Sequence, residues 1–158
     1  MYWPEELFTA VVRQQALFLI ELGFRTVVFV NGHGANNQIA ALERIAASLT
    51  EETHAKVINQ LILTEDCGVG VGHAGLLETA VMLALVPEGV DLAKLPAKPQ
   101  KLKNVDFAIV DSETFASGGN EDFTVRYDPR DATAELGRSI IGFEIEHCRS
   151  EIQKKLTR

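Results

Sequence analysis

Thr26-Val27-Val28-Phe29-Val30-Asn31-Gly32-His33-Gly34 is a short β-prone run that breaks into a polar, Gly-rich turn. A continuous apolar run of this length reads as a strand buried on both faces, as in a parallel sheet. Helical periodicity lies on either side of it. Before it, Leu7, Val11, Phe18 and Leu22 recur at helical spacing from Glu5 to Leu22, and Gly23 stands where a C-terminal cap belongs. After it, Ile39, Leu42, Ala46 and Leu49 form one stripe of a second helix.

The pattern then repeats. Ala55 to Leu63 reads as a second strand, and the Gly-rich segment from Gly68 to Gly72 leads to His73. Gly75 to Val86 is apolar nearly all round, which predicts a deeply buried helix ended by Pro87. Val105 to Val110 reads as a further strand, and Ser112 to Tyr127, with Gly118-Gly119, as a polar surface loop. Asp128-Pro129 is a cap-and-first-turn pair. It is expected to open a long amphipathic helix reaching about Leu156, with Leu136, Ile140, Phe143 and Ile152 facing inward. Alternating helices and strands imply an α/β fold with a mostly parallel sheet and right-handed crossovers. The chain opens on a helix, whereas a doubly wound domain normally opens on a strand, so an upstream element is expected to be missing.

Composition narrows the function. The chain has 158 residues, 46% of them hydrophobic, and suits a single domain spanning 1–158. Its 22 acids and 15 bases leave a net charge of −7. That argues against nucleic acid or an anionic membrane as partner, since both reward clustered Lys and Arg. The basic residues Lys154, Lys155 and Arg158 read as a solvated helix end. Cys67 and Cys148, far apart, make no disulfide framework and read as reduced thiols of a cytoplasmic protein. No apolar run has membrane-spanning length, and the N-terminus does not read as a signal peptide.

In open parallel sheets, ligands bind beyond the carboxyl ends of the strands. Asn31-Gly32-His33 follows the first strand directly, and Gly72-His73 follows the second by way of the loop. The element order alone puts both at one edge. His33 sits between Gly32 and Gly34, which allow a tight turn and a close approach to a ligand. A neutral imidazole there is a metal-ligand candidate, the alternative being a turn that contains a His. Glu78 is the only charged residue between His73 and Pro87. On a buried helix its carboxylate needs a cation, a metal or strong donors, the alternative being a first-turn acid that bonds the helix N-terminus. His73 and Glu78 would be separated by about 140° on one helix. They can point at one site only if His73 precedes the helix and Glu78 lies in its first turn, a break that Gly75 permits. The Gly-rich segment lacks the G-x-x-x-x-G-K pattern of a phosphate loop. His54 and His147 read as ordinary surface or strand-edge residues.

Asn31-Gly32-His33-Gly34-Ala35-Asn36, followed by Gly72-His73-Ala74-Gly75-Leu76-Leu77-Glu78-Thr79, resembles the paired motifs of the creatininase (creatinine amidohydrolase) family. The stretch Arg130-Asp131-Ala132-Thr133-Ala134-Glu135-Leu136-Gly137 is similar to the start of that family's last helix. The resemblance covers nearly the whole chain and the later part of a typical member. It implies a three-layer α/β/α fold lacking the first strand or strands. It also implies two divalent metals, zinc or manganese, and hydrolysis of amide bonds that are often cyclic. By resemblance His33 is a metal ligand. Creatininase has a metal-binding Glu two positions later, where this chain has Ala35, and relatives with a Gly-rich motif use the Glu of the second motif, here Glu78. His73 resembles a His that in the family either supports a metal ligand or is itself catalytic, placed to handle protons at the tetrahedral intermediate. Asn31, Gly32, Gly34, Asn36, Gly72 and Gly75 fall on the loops expected at the substrate. The family's Glu-x-His pair and following Asp lie upstream of this chain's start, leaving three expected ligands absent. Asp66, Asp111, Glu113 and Asp122 are possible replacements.

The resulting expectation is a metal-dependent amidohydrolase acting on a small-molecule, non-peptide C–N amide bond. The alternative is a non-catalytic relative that keeps the fold for oligomerisation or small-molecule binding, with no metal held. A homo-oligomer, at least a dimer, is expected, with Tyr2, Trp3, Phe8 and Phe18 at the contact.

Overall fold

The computed structural model describes residues 3–62, 67–70, 74–100, 102–105, 108–110 and 128–157. In chain order the elements are α1 (Glu5–Glu21), β1 (Thr26–Asn31), α2 (Asn36–Glu52), β2 (Lys56–Leu61), α3 (Leu76–Leu85), β3 (Lys103–Val105), β4 (Ala108–Val110) and α4 (Ala134–Leu156). The chain divides into two compact units, one of Met1–Leu63 with Glu146–Arg158, the other of Thr64–Ile145. Among the described residues no helix is long and apolar enough to cross a membrane.

In the first unit, β1 and β2 pair in parallel, in register from Thr26↔Lys56 to Asn31↔Leu61. Side chains alternate along a strand, so Val27, Phe29 and Asn31 share a face with Val57, Asn59 and Leu61. Val27 and Val57 pack there with Ala16 and Ile20 of α1 and with Ile45, Ala46 and Leu49 of α2. The other face of β1 is less covered, since Val30 is 60% exposed. The strand expected to be buried on both faces is therefore well covered on one only, where Val27 and Asn31 are buried and Phe29 partly so. The Thr50 hydroxyl bonds both the N–H and the C=O of Val57, tying α2 to β2. Lys155 Nζ donates to Asn59 O at 2.7 Å and Gln60 Oε1 at 2.9 Å, tying the end of α4 to the same strand.

α1 ends as its sequence predicts. Gly23 takes φ +96°, its N–H bonds Ile20 O, and the N–H of Phe24 bonds Leu19 O. This is the Schellman arrangement, which a residue with a Cβ adopts only under strain. The large apolar residues that show the helical spacing of α1 do not form its buried face. Ala16 and Ile20 are buried, whereas Leu7, Phe18 and Leu22 are about half exposed or more. Positions 16 and 18 lie about 160° apart around a helix. α1 carries apolar residues on more than one side, and periodicity alone does not choose between them.

In the second unit, α3 packs through Leu77 and Ala80 against Ala132 and Ile140. The expected deep burial of this helix is corrected: Leu85 is 63% exposed and Met82 is exposed too. Pro87 does end it, opening a single 3₁₀ turn, Pro87–Gly89. α3 and α4 cross closely because Gly137 has no side chain. A Cβ there would lie 1.9 Å from the Ala80 carbonyl oxygen.

Two further expectations are revised. Val105 to Val110 is not one strand, since β3 and β4 form an antiparallel pair with Lys103↔Val110 and Val105↔Ala108. Asp128-Pro129 opens not α4 but a 3₁₀ turn, Pro129–Asp131, with α4 starting at Ala134. The reason is Arg130, whose guanidinium folds back on the Asp128 carboxylate and donates to the carbonyls of Pro96 and Gln100 at 2.7 and 2.8 Å. Burial pushes the Asp128 carboxyl up, but bonds from the Arg130 guanidinium and backbone N–H outweigh it and hold the carboxyl below its usual range. The same pairing raises the Arg130 guanidinium. The Ser112 to Tyr127 loop lies outside the described residues.

Candidate functional site

β1 delivers His33 just beyond its carboxyl end, where ligands bind in parallel sheets. Asn31, the last residue of β1, is only 4% exposed, and its amide clamps the turn. Its Oδ1 accepts from the His33 N–H at 3.0 Å and from Gln38 Nε2 at 2.9 Å, and its Nδ2 donates to the His33 carbonyl at 3.0 Å. Three of the amide's four hydrogen-bonding positions are thus used. The backbone on both sides of His33 is fixed, and its imidazole takes no part in the clamp. The expectation that Gly32 and Gly34 supply the turn's conformational freedom is corrected: neither has a positive φ. Asn31 and Gln38 do that work with hydrogen bonds. Asn36 opens α2 and is exposed, with no side-chain cap recorded at that helix start.

His33 borders a cavity of about 360 Å³ lined also by Trp3, Glu5, Phe8, Ala35, Asn37, Gln38 and Ala41. Trp3, Glu5 and Phe8, at the start of α1, were not legible as site residues, because nothing in the sequence brings that helix end beside the turn after β1. The Glu5 carboxylate is already paired with Arg44.

Glu78 lies in the first turn of α3, whose N-cap is Gly75, as a shared site with His73 requires. Its Oε2 accepts the N–H of Ala74 at 2.6 Å. Ala74 has φ +52°, the left-handed region that a residue with a Cβ enters at a cost. Glu78 is half-buried, not deeply buried, and a backbone N–H satisfies part of its carboxylate. Burial alone therefore does not force a cation on it. It borders a second cavity, also of about 360 Å³, with Ala74, Met82, Val90, Leu92 and Leu95.

Gly72 and His73 lie outside the described residues, as do Asp66, Asp111, Glu113 and Asp122. His33 belongs to the first unit and Glu78 to the second. Among the described residues, no three His, Cys, Asp or Glu side chains gather as metal ligands. An imidazole and a carboxylate are the right kinds of donor for zinc or manganese. Two protein donors fall short of the three that a catalytic zinc takes.

Comparison with known proteins carries the identification. The chain is 34% identical over 132 residues to the mycofactocin precursor peptide peptidase of Mycobacterium tuberculosis, in strain CDC 1551 / Oshkosh and equally in strain H37Rv. The match takes in 78% of this chain and 46% of each relative, so the chain spans about half the length of the curated relatives it matches. The Creatininase family model, described as creatinine amidohydrolase, matches residues 1–152. The chain belongs to the creatininase family.

Proposed function

We propose that the chain carries part of a creatininase-type hydrolase site that opens a C–N amide bond. The observation that supports this most is the Asn31-clamped turn, which holds His33 at the carboxyl end of β1, beside a cavity. In this reading His33 and Glu78 are metal ligands, and His73 moves the proton between the attacking water and the leaving nitrogen. Zinc or manganese would supply polarisation of the carbonyl and a water of lowered pKa. Asn31 orients the backbone of His33. Gly32 and Gly34 in the turn after β1, Asn36 at the start of α2, Gly75 at the cap of α3, and Gly72 surround the substrate in this reading.

Membership of the creatininase family favours a small, non-peptide amide, and the name of the mycobacterial relatives favours a second reading, a peptide amide. Hydrolysis of creatinine and of short peptides, each with added zinc or manganese, separates the two. On either substrate class His33→Ala is expected to lower the rate at least 100-fold. An unchanged rate in that variant would overturn the assignment of the site.

We also propose the three-layer α/β/α architecture for the whole 1–158 domain, a cytoplasmic location, and a homo-oligomer. The last draws support from the exposed apolar stripe of α1, including Leu7, Phe18 and Leu22. Light scattering at micromolar concentration tests it, and a monodisperse monomer would refute it.

A further inference from the structure

We infer that the cavity beside His33 receives a flat, uncharged aromatic group carried next to the amide that is cleaved. The inference rests on the reading of His33 as a residue at the reacting centre.

Place, size and lining support it. The cavity lies at the carboxyl end of β1 with His33 on its wall. Its volume of about 360 Å³ is near the lower bound of ligand pockets, enough for one ring and its attached amide. The start of α1 contributes two aromatic residues, Trp3 and Phe8. Trp3 is 59% exposed and Phe8 half-buried, so both rings keep apolar surface that a ligand ring can cover. Ala35 and Ala41 are small and leave the space between those rings and α2 open. The amides of Asn37 and Gln38 line the same space and suit the polar atoms of an amide substrate.

Aromatic walls beside a carboxylate would also suit a cationic ligand. Among the described residues Glu5 is the only acid in the lining, and its charge is met by Arg44. A second cation would have to compete with that guanidinium. The pocket therefore favours a neutral ring over an ammonium or guanidinium group.

Trp3 is the only tryptophan of the chain, so its fluorescence reports on this pocket alone. The full chain is titrated with N-acetylphenylalaninamide, N-acetylglycinamide and N-acetyllysinamide. A saturable change is expected with the phenylalanine probe, at a Kd at least tenfold lower than for either other probe. Phe8→Leu, which keeps an apolar side chain, and Ala35→Leu, which fills the space, should each weaken it at least fivefold, with circular dichroism confirming the fold. Equal response to the glycine probe, tighter binding of the lysine probe, or wild-type binding by both variants would overturn the inference. The probe requires no turnover. Binding of the phenylalanine probe by a chain that hydrolyses no amide would overturn the proposed function and leave the pocket standing. Hydrolysis without preference for an aromatic neighbour would do the reverse.

Discussion

The turn that presents His33 and the turn that leads to Glu78 are built on opposite plans. In the first, a buried neutral amide, Asn31, bonds the backbone N–H and C=O of His33 and leaves its imidazole out of the clamp. In the second, the candidate ligand is itself the fastener: Glu78 accepts the N–H of Ala74, which is held in a left-handed conformation. A presented imidazole needs no rearrangement of its own turn to take a ligand. A carboxylate that closes its turn has to share its oxygens between the backbone and whatever it binds. The second turn depends more heavily on the packing behind it, at the crossing of α3 and α4.

The largest expected effect therefore falls on that crossing. Gly137→Ala would place a methyl group 1.9 Å from the Ala80 carbonyl oxygen, and both atoms nearest it are backbone. The helices must separate, at a cost of about 3 kcal/mol, the upper part of the usual range for overpacking. Chemical denaturation should show that loss. A variant as stable as the wild type would mean that the support of Glu78 is looser than the geometry indicates.

How far the two turns were legible follows from how local their causes are. Gly23 as cap, Pro87 as stop and Glu78 in a first turn all depend on neighbours in sequence, and pattern reading finds them. The strand before His33 is equally local in origin, and its parallel pairing follows from the helix that crosses between the two strands. The clamp is different: the residue type of Asn31 was noted, but its role depends on burial at a strand end and on Gln38, one helical turn into α2. Arg130 reaches carbonyls at Pro96 and Gln100, a distance no periodicity reveals, and so displaces the start of α4. The buried face of α1 is not legible from its large apolar residues, because Ala16 is small and close packing selects it.

The second effect concerns the Asp128–Arg130 pair, which also braces the second unit. Asp128→Asn keeps a side-chain oxygen for the Arg130 N–H and removes the charge, at an expected cost of about 2 kcal/mol. Its pH dependence is specific. The folded pKa of Asp128 is depressed, so its contribution is complete above the unfolded carboxylate value of about 3.9 and is lost as pH falls through the lower folded value. Stability measured against pH should show the wild type losing its advantage over the variant only in that acid window. A gap between the two that stays constant into strong acid would assign the effect to packing.

A smaller effect tests the clamp directly. Asn31→Asp keeps Oδ1 for the His33 N–H and for Gln38, but replaces the Nδ2 donor with an oxygen facing the His33 carbonyl. The expected loss is about 1 kcal/mol. Amide exchange at His33 should quicken, with exchange at Val27 and Phe29 in the same strand unchanged. Uniform quickening along β1 would show that Asn31 supports the strand and not the turn.

The smallest effect sets the two turns against each other with a pair of mirrored substitutions. Ala74 takes φ +52°, where its Cβ is strained and glycine is not. Ala74→Gly relieves that strain but gives the unfolded chain more freedom, so the two contributions partly cancel, leaving a gain of about 0.5 kcal/mol. Gly34 has no positive φ, and a Cβ there would meet nothing within 4 Å. Gly34→Ala should also stabilise by about 0.5 kcal/mol, here entirely through the unfolded state. The same sign would thus arise from opposite exchanges, one adding glycine to the turn before Glu78 and the other removing it from the turn at His33. Urea denaturation should show both gains, and the double mutant tests whether the two turns act independently. A loss on Gly34→Ala would show that the His33 turn uses glycine after all.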